Sequence, residues 1–63
     1  MYEEAGDAYS EGKKFELAAD YYFKAKKWEK AGDNFKKARK YTEAVDAYKK
    51  GVLYDKALDL MER

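Results

Sequence analysis

The stretch FELAADYYFKAKKWEKAGDNF, Phe15 to Phe35, sets two aromatic residues thirteen positions apart, each followed three positions on by Ala and five on by Asp. The same spacing extends in both directions. Cutting before Tyr2, Phe15, Trp28, Tyr41 and Tyr54 yields YEEAGDAYSEGKK, FELAADYYFKAKK, WEKAGDNFKKARK, YTEAVDAYKKGVL and YDKALDLMER. Every unit opens on an aromatic residue. Its fourth position is Ala (Ala5, Ala18, Ala31, Ala44, Ala57) and its sixth is Asp (Asp7, Asp20, Asp33, Asp46, Asp59). The eighth is Tyr9, Tyr22, Phe35, Tyr48 and then Met61.

Positions 1, 4, 5 and 8 follow the i, i+3, i+4, i+7 pattern of one helical face. A continuous helix would lose that face, because thirteen residues rotate it by about 220° per unit. The period therefore predicts a helix of about ten residues, a tight turn at positions 11 to 13, and then the next helix. Gly12 and Gly51 are natural terminators at position 11, whereas Ala25 and Ala38 hold that slot in the other turns and break nothing by themselves. Small residues at positions 4 and 5 allow close helix approach. Gly6 and Gly32 cost about 1 kcal/mol each relative to Ala within a helix, so their use points to a contact that tolerates no side chain.

Composition agrees. The chain has 63 residues, no Pro, Cys or His, and 43% charged residues, which suits helices joined by short turns. A chain of this length builds only a small core. Disulfides and Cys/His metal sites are excluded, and no apolar run is long enough for a membrane span. The absent thiols fit a cytoplasmic location. The expected fold class is all-α, a right-handed α-solenoid of about five short antiparallel helices forming a single segment over residues 1–63.

The residues AGDAYSEGKKFELAADYYFKA and KAGDNFKKARKYTEAVDAYKK resemble the tetratricopeptide repeat. That pattern has a bulky residue, Gly followed by Asn or Asp, and Tyr; after a turn come an aromatic residue, Ala, an aromatic residue and Ala. Those roles fall on Tyr2, Gly6, Asp7, Tyr9, Phe15, Ala18, Tyr22 and Ala25. They fall again on Trp28, Gly32, Asp33, Phe35, Tyr41, Ala44, Tyr48 and Gly51. The hairpin period here is 26 residues instead of the family's usual 34 or so, and Gly12 sits one place early for the family's turn glycine. Shortened repeats of this kind resemble those of vesicle and ciliary trafficking solenoids. The segment AADYYFKAKKWEKAGDNFKKA is similar to soluble NSF attachment proteins. The resemblance implies a protein–protein interaction or scaffolding module from a vesicle or ciliary trafficking parent, with no catalysis and no cofactor.

Candidate sites follow from this frame. Asp7, Asp33 and Asp59, on the first helices of successive hairpins, would line a concave groove and select a basic or N-terminal-amine ligand; the plainer alternative is a solvated ridge. In chaperone-binding relatives an Asn in this column helps clamp a carboxylate with the aid of Lys and Arg. Asp here removes the ground for carrying that clamp over. The central basic run, Lys24 to Lys40, gives units one to five charges of −2, +1, +3, 0 and −1. Lys36, Lys37, Arg39 and Lys40 are thus a candidate patch for an anionic partner, RNA or a phosphate-bearing surface. Acids early and bases late in each unit complement the helix dipole, which explains the charges without nucleic acid. Tyr21 and Phe23 are large where other units are small or polar, and are either packing contacts or partner anchors. Ser10 and Thr42 have no base beside them, and the carboxylates are spread out, so no acid–base pair is expected. The regularity also fits a designed or purely structural repeat, although Leu17, Phe23, Val52 and Leu53 are irregular for a consensus. Leu58, Leu60 and Met61 are expected to lack a covering helix, implying either a longer solenoid or self-association through the C-terminal face.

Overall fold

A computed structural model describes residues 1–61; Glu62 and Arg63 lie outside the described residues. The described chain is all-helical: α1 (Tyr2–Glu11), α2 (Phe15–Lys24), α3 (Trp28–Lys37), α4 (Tyr41–Lys50) and α5 (Tyr54–Met61). Each helix begins at the aromatic that opens its unit. Each packs mainly on the next in the chain, giving a body of 31 × 19 × 12 Å.

The turns are built alike four times. Backbone N–H groups of Lys14, Lys27, Lys40 and Leu53 reach back to the carbonyls of Tyr9, Tyr22, Phe35 and Tyr48 at 2.8 to 2.9 Å. One residue earlier, Lys13, Lys26, Arg39 and Val52 donate to Ser10, Phe23, Lys36 and Lys49 at 3.0 Å. This paired bonding is the Schellman motif, which satisfies the last carbonyls of a helix and requires a left-handed residue. That residue is not Gly12 or Gly51, whose φ values are −82° and −88°. It is the residue after them: Lys13 (φ 61°), Lys26 (59°), Arg39 (63°) and Val52 (58°). The expected glycine terminators are therefore corrected. Hydrogen bonding closes the turn, and position 11 need only be small, which Ala25 and Ala38 also satisfy. Gly51 has a packing reason instead, since a Cβ there would lie 2.6 Å from Trp28 Cβ.

The core is the alanine column and what seats on it. Ala18, Ala19, Ala31, Ala44, Ala47 and Ala57 are buried, with Tyr22, Phe35, Tyr48 and Leu60 among them. A Cβ on Gly6 would meet the Tyr22 ring at 2.8 Å, and one on Gly32 would meet the Tyr48 ring at 2.5 Å. Each ring thus lies against the bare backbone of the preceding helix, as the intrahelical glycines suggested. Of the aromatics that open the units, Tyr2, Tyr41 and Tyr54 are half exposed. One expectation fails. At the other end Leu60 is only 8% exposed, packed into the core, whereas Leu58 and Met61 are open to solvent at 51% and 54%. Position 7 carries Leu60 inward, as it does Asn34 and Ala47.

Two substitutions separate these effects. Gly32→Ala should destabilise by about 2 kcal/mol in urea unfolding despite the better helix propensity of Ala, because overpacking against Tyr48 outweighs it. Gly12→Ala, whose Cβ would meet only ordinary contacts at 3.6 Å, should be neutral or slightly stabilising. Val52→Gly should stabilise by about 1 kcal/mol, since a β-branched residue is the costliest choice for a left-handed position.

Candidate functional site

The Asp column is the centre of a cluster that occurs twice. Tyr22 of α2 donates its hydroxyl hydrogen bond to Asp7 Oδ1 of α1, and Tyr48 of α4 donates likewise to Asp33 Oδ1 of α3. From the following helix, Lys30 Nζ donates to Glu3 Oε2 at 2.8 Å, lies 3.9 Å from Asp7 Oδ1 and sits 5.5 Å from the Tyr22 ring centroid. One repeat later, Lys56 Nζ bonds Glu29 Oε2 and sits 5.8 Å from the Tyr48 ring. Each acid pair, Glu3 with Asp7 and Glu29 with Asp33, thus faces one tyrosine hydroxyl and one lysine ammonium. The chemistry is repeated because the residues repeat at 26.

Protonation follows the contacts. Burial and the Asp7 carboxylate push the Tyr22 phenol up to about 12 from an ordinary 10.0. Burial, helped by Asp33, pushes Tyr48 higher still. The hydrogen bond from Lys30 holds the exposed Glu3 carboxyl below its usual value and raises Lys30 in return; Glu29 raises Lys56 in the same way. These exposed ion pairs contribute little stability, because water screens them. The Tyr–Asp bonds carry more of the positioning, since the phenols are desolvated and leave no buried oxygen unpaired.

Asp33 and Asp59 come together, with Lys36, Tyr48, Asp55, Lys56 and Leu60, around an open cleft of about 420 Å³. Asp7 does not line it. The cleft has an aromatic and aliphatic floor, three carboxylates and two ammonium groups.

The basic run is dispersed. Lys27 lies 3.7 Å from Glu3 and Lys40 lies 3.6 Å from Glu16. Lys24 stands over the rings of Tyr2 and Tyr21, and Lys37 over Phe15 at 5.4 Å. Of the candidate patch, Lys36 faces the acidic cleft, Arg39 holds a left-handed turn, and Lys37 and Lys40 are engaged by Phe15 and Glu16. Tyr21 stacks on Tyr9 with centroids 5.4 Å apart, and Phe23 meets Trp28 edge-on at 4.9 Å and Phe35 at 6.4 Å. Both are half buried in packing contacts.

Reading the residues in columns missed Asn34, the buried polar side chain of the core. It accepts from Ser10 Oγ at 3.0 Å and donates to the Lys30 carbonyl at 2.8 Å, tying α1 to α3. Its signal was a polar residue at position 7, otherwise Ala8, Tyr21, Ala47 and Leu60. Among the described residues no group of three or more His, Cys, Asp or Glu is placed to hold a metal ion, and no helix is long and apolar enough to cross a membrane.

The raised phenols set an alkaline limit. A phenol whose folded pKa exceeds its unfolded value favours folding fully below pH 10, and this contribution is lost as pH rises from 10.0 through about 12 for Tyr22. Circular dichroism should therefore show unfolding in that window, with a late rise in tyrosinate absorbance. Tyr22→Phe should flatten the pH dependence; an unchanged slope would refute the assignment.

No family model, curated protein or solved structure matches this chain.

Proposed function

We propose that the chain is a right-handed α-solenoid of antiparallel, tetratricopeptide-like hairpins that serves as a protein–protein interaction or scaffolding module. Its ligand is an extended peptide or partner segment with basic groups. The observation that carries this reading is the cleft where Asp33, Asp55 and Asp59 gather over Tyr48 and Leu60. Three carboxylates against the ammonium groups of Lys36 and Lys56 leave the cleft net negative, which favours basic groups. Recurrence of the Tyr–Asp and Lys–Glu pairs at 26 residues supports a stack of equivalent hairpins, in which each unit covers its neighbour.

Dispersal of the basic residues argues for a protein ligand over RNA. Of the candidate patch, Lys40 faces Glu16, Lys37 stands over Phe15 and Lys36 lines the acidic cleft, so these cations do not form one phosphate-binding surface. A cytoplasmic trafficking parent is the setting that the resemblance suggests.

Immobilised chain should retain defined proteins from cell extract in the presence of nuclease. The double variant Asp33→Asn, Asp59→Asn should lose at least about 1 kcal/mol of binding to a retained partner, roughly a fivefold weakening. Loss of all retention on nuclease treatment, or full retention by the double variant, would reject this reading.

A further inference from the structure

The place where one first helix meets the next occurs twice, and the sequence fills it differently. Between α1 and α3 its residues are Ser10 and Asn34; between α3 and α5 the same positions are Lys36 and Leu60. Ser10 Oγ donates to Asn34 Oδ1 at 3.0 Å, and the buried Asn34 donates in turn to the Lys30 carbonyl at 2.8 Å. That contact ties α1 directly to α3. Leu60 has no group to take part in such a bond. Lys36 and Leu60 instead line the open cleft of about 420 Å³ between α3 and α5.

The charged groups of this cleft differ in what already holds them. Asp33 accepts from Tyr48, and Lys56 is held by Glu29 and lies over the Tyr48 ring. Lys36 is exposed, and its ammonium has no ion-pair partner among the described residues. The two walls thus carry opposite charges, Lys36 on α3 against Asp55 and Asp59 on α5. Ser10, one repeat earlier, is neutral, so this cation belongs to the second site alone. We propose that Lys36 is a specificity-determining residue of the α3–α5 cleft, whose ligand is an extended peptide segment pairing an acidic residue with Lys36 and a basic residue with Asp55 and Asp59. Side chains two positions apart in an extended segment share one face about 7 Å apart, so a Lys-x-Glu spacing presents both charges together. The net negative cleft draws in the basic group, and Lys36 fixes which way the segment lies.

This deepens the interaction-module reading, on which it rests, and is tested on the whole 63-residue chain. The probe is the end-capped peptide Ala-Leu-Lys-Ala-Glu-Ala, compared with a twin carrying Gln for Glu. In nitrogen-15 NMR titrations the Glu peptide should move the amide signals of Asp33, Lys36, Asp59 and Leu60, and should bind about threefold more tightly than its twin, the gain expected of one exposed ion pair. Lys36→Gln should erase that difference and Lys36→Arg should keep it, both with unchanged circular dichroism spectra. Equal or tighter binding of the Gln twin to the parent chain overturns the proposal and leaves the cleft's preference for basic groups standing. A difference that survives Lys36→Gln also overturns it, because another cation would then read the acid. Binding of neither peptide at the cleft overturns it as well; failure of protein capture from extract sinks the interaction-module reading separately.

Discussion

A tyrosine ring laid across a glycine, with its hydroxyl on the neighbouring Asp, organises this molecule. Tyr22 on Gly6 and Asp7, and Tyr48 on Gly32 and Asp33, each lock one helix to the one before it. The ring needs bare backbone beneath it, and the phenol needs an acceptor once buried. Gly and Asp side by side on one helix meet both needs. Because desolvation makes an unpaired phenol expensive, the hydrogen bond selects one register for the helix pair. In that register the buried alanines share one core, and Lys30 and Lys56 arrive beside Glu3 and Glu29.

Economy of size explains the other features. A chain with so short a helix has little apolar area to bury, so it brings backbones close instead of filling space with large side chains. That is why six alanines are buried and why Tyr2, Tyr41 and Tyr54 are half exposed. Closure of the turns is also taken from the backbone. Four Schellman motifs form with Lys, Arg or Val in the left-handed slot, so hydrogen bonding at the helix ends outweighs the conformational preference of the side chain. Lys and Arg at three of these positions place positive charge near helix C-termini, where the dipole favours it.

The repeat is broken at three positions. Asn34 replaces an apolar residue and ties α1 to α3 through Ser10. Leu58, exposed to solvent, stands where α1 and α3 have glycine. Phe23, large at a polar position, fills the space between Trp28 and Phe35. Each departure leaves the helix itself intact, since the alanine and aspartate columns continue through all of them.

The amino-acid order alone determined the number of helices and their starts, because a thirteen-residue period cannot keep one face on a continuous helix. It also announced a close contact at Gly6 and Gly32, since glycine within a helix is costly unless something needs the room. Only the tertiary structure decided which residue takes the left-handed turn, because that depends on the hydrogen bonds of the whole helix end. It also decided that Leu60 and not Met61 enters the core, because a hundred-degree step along α5 is settled by where α4 lies. The fate of the lysines was equally invisible along the chain. In a row that looks like one basic patch, Lys24, Lys27, Lys30, Lys37 and Lys40 are divided among Glu3, Asp7, Glu16 and the rings of Tyr2, Tyr21 and Phe15, because charge is distributed by neighbours in space. Likewise Asp33 and Asp59 share a cleft and Asp7 stands apart, since membership of a column fixes a helix face but not what lies opposite it.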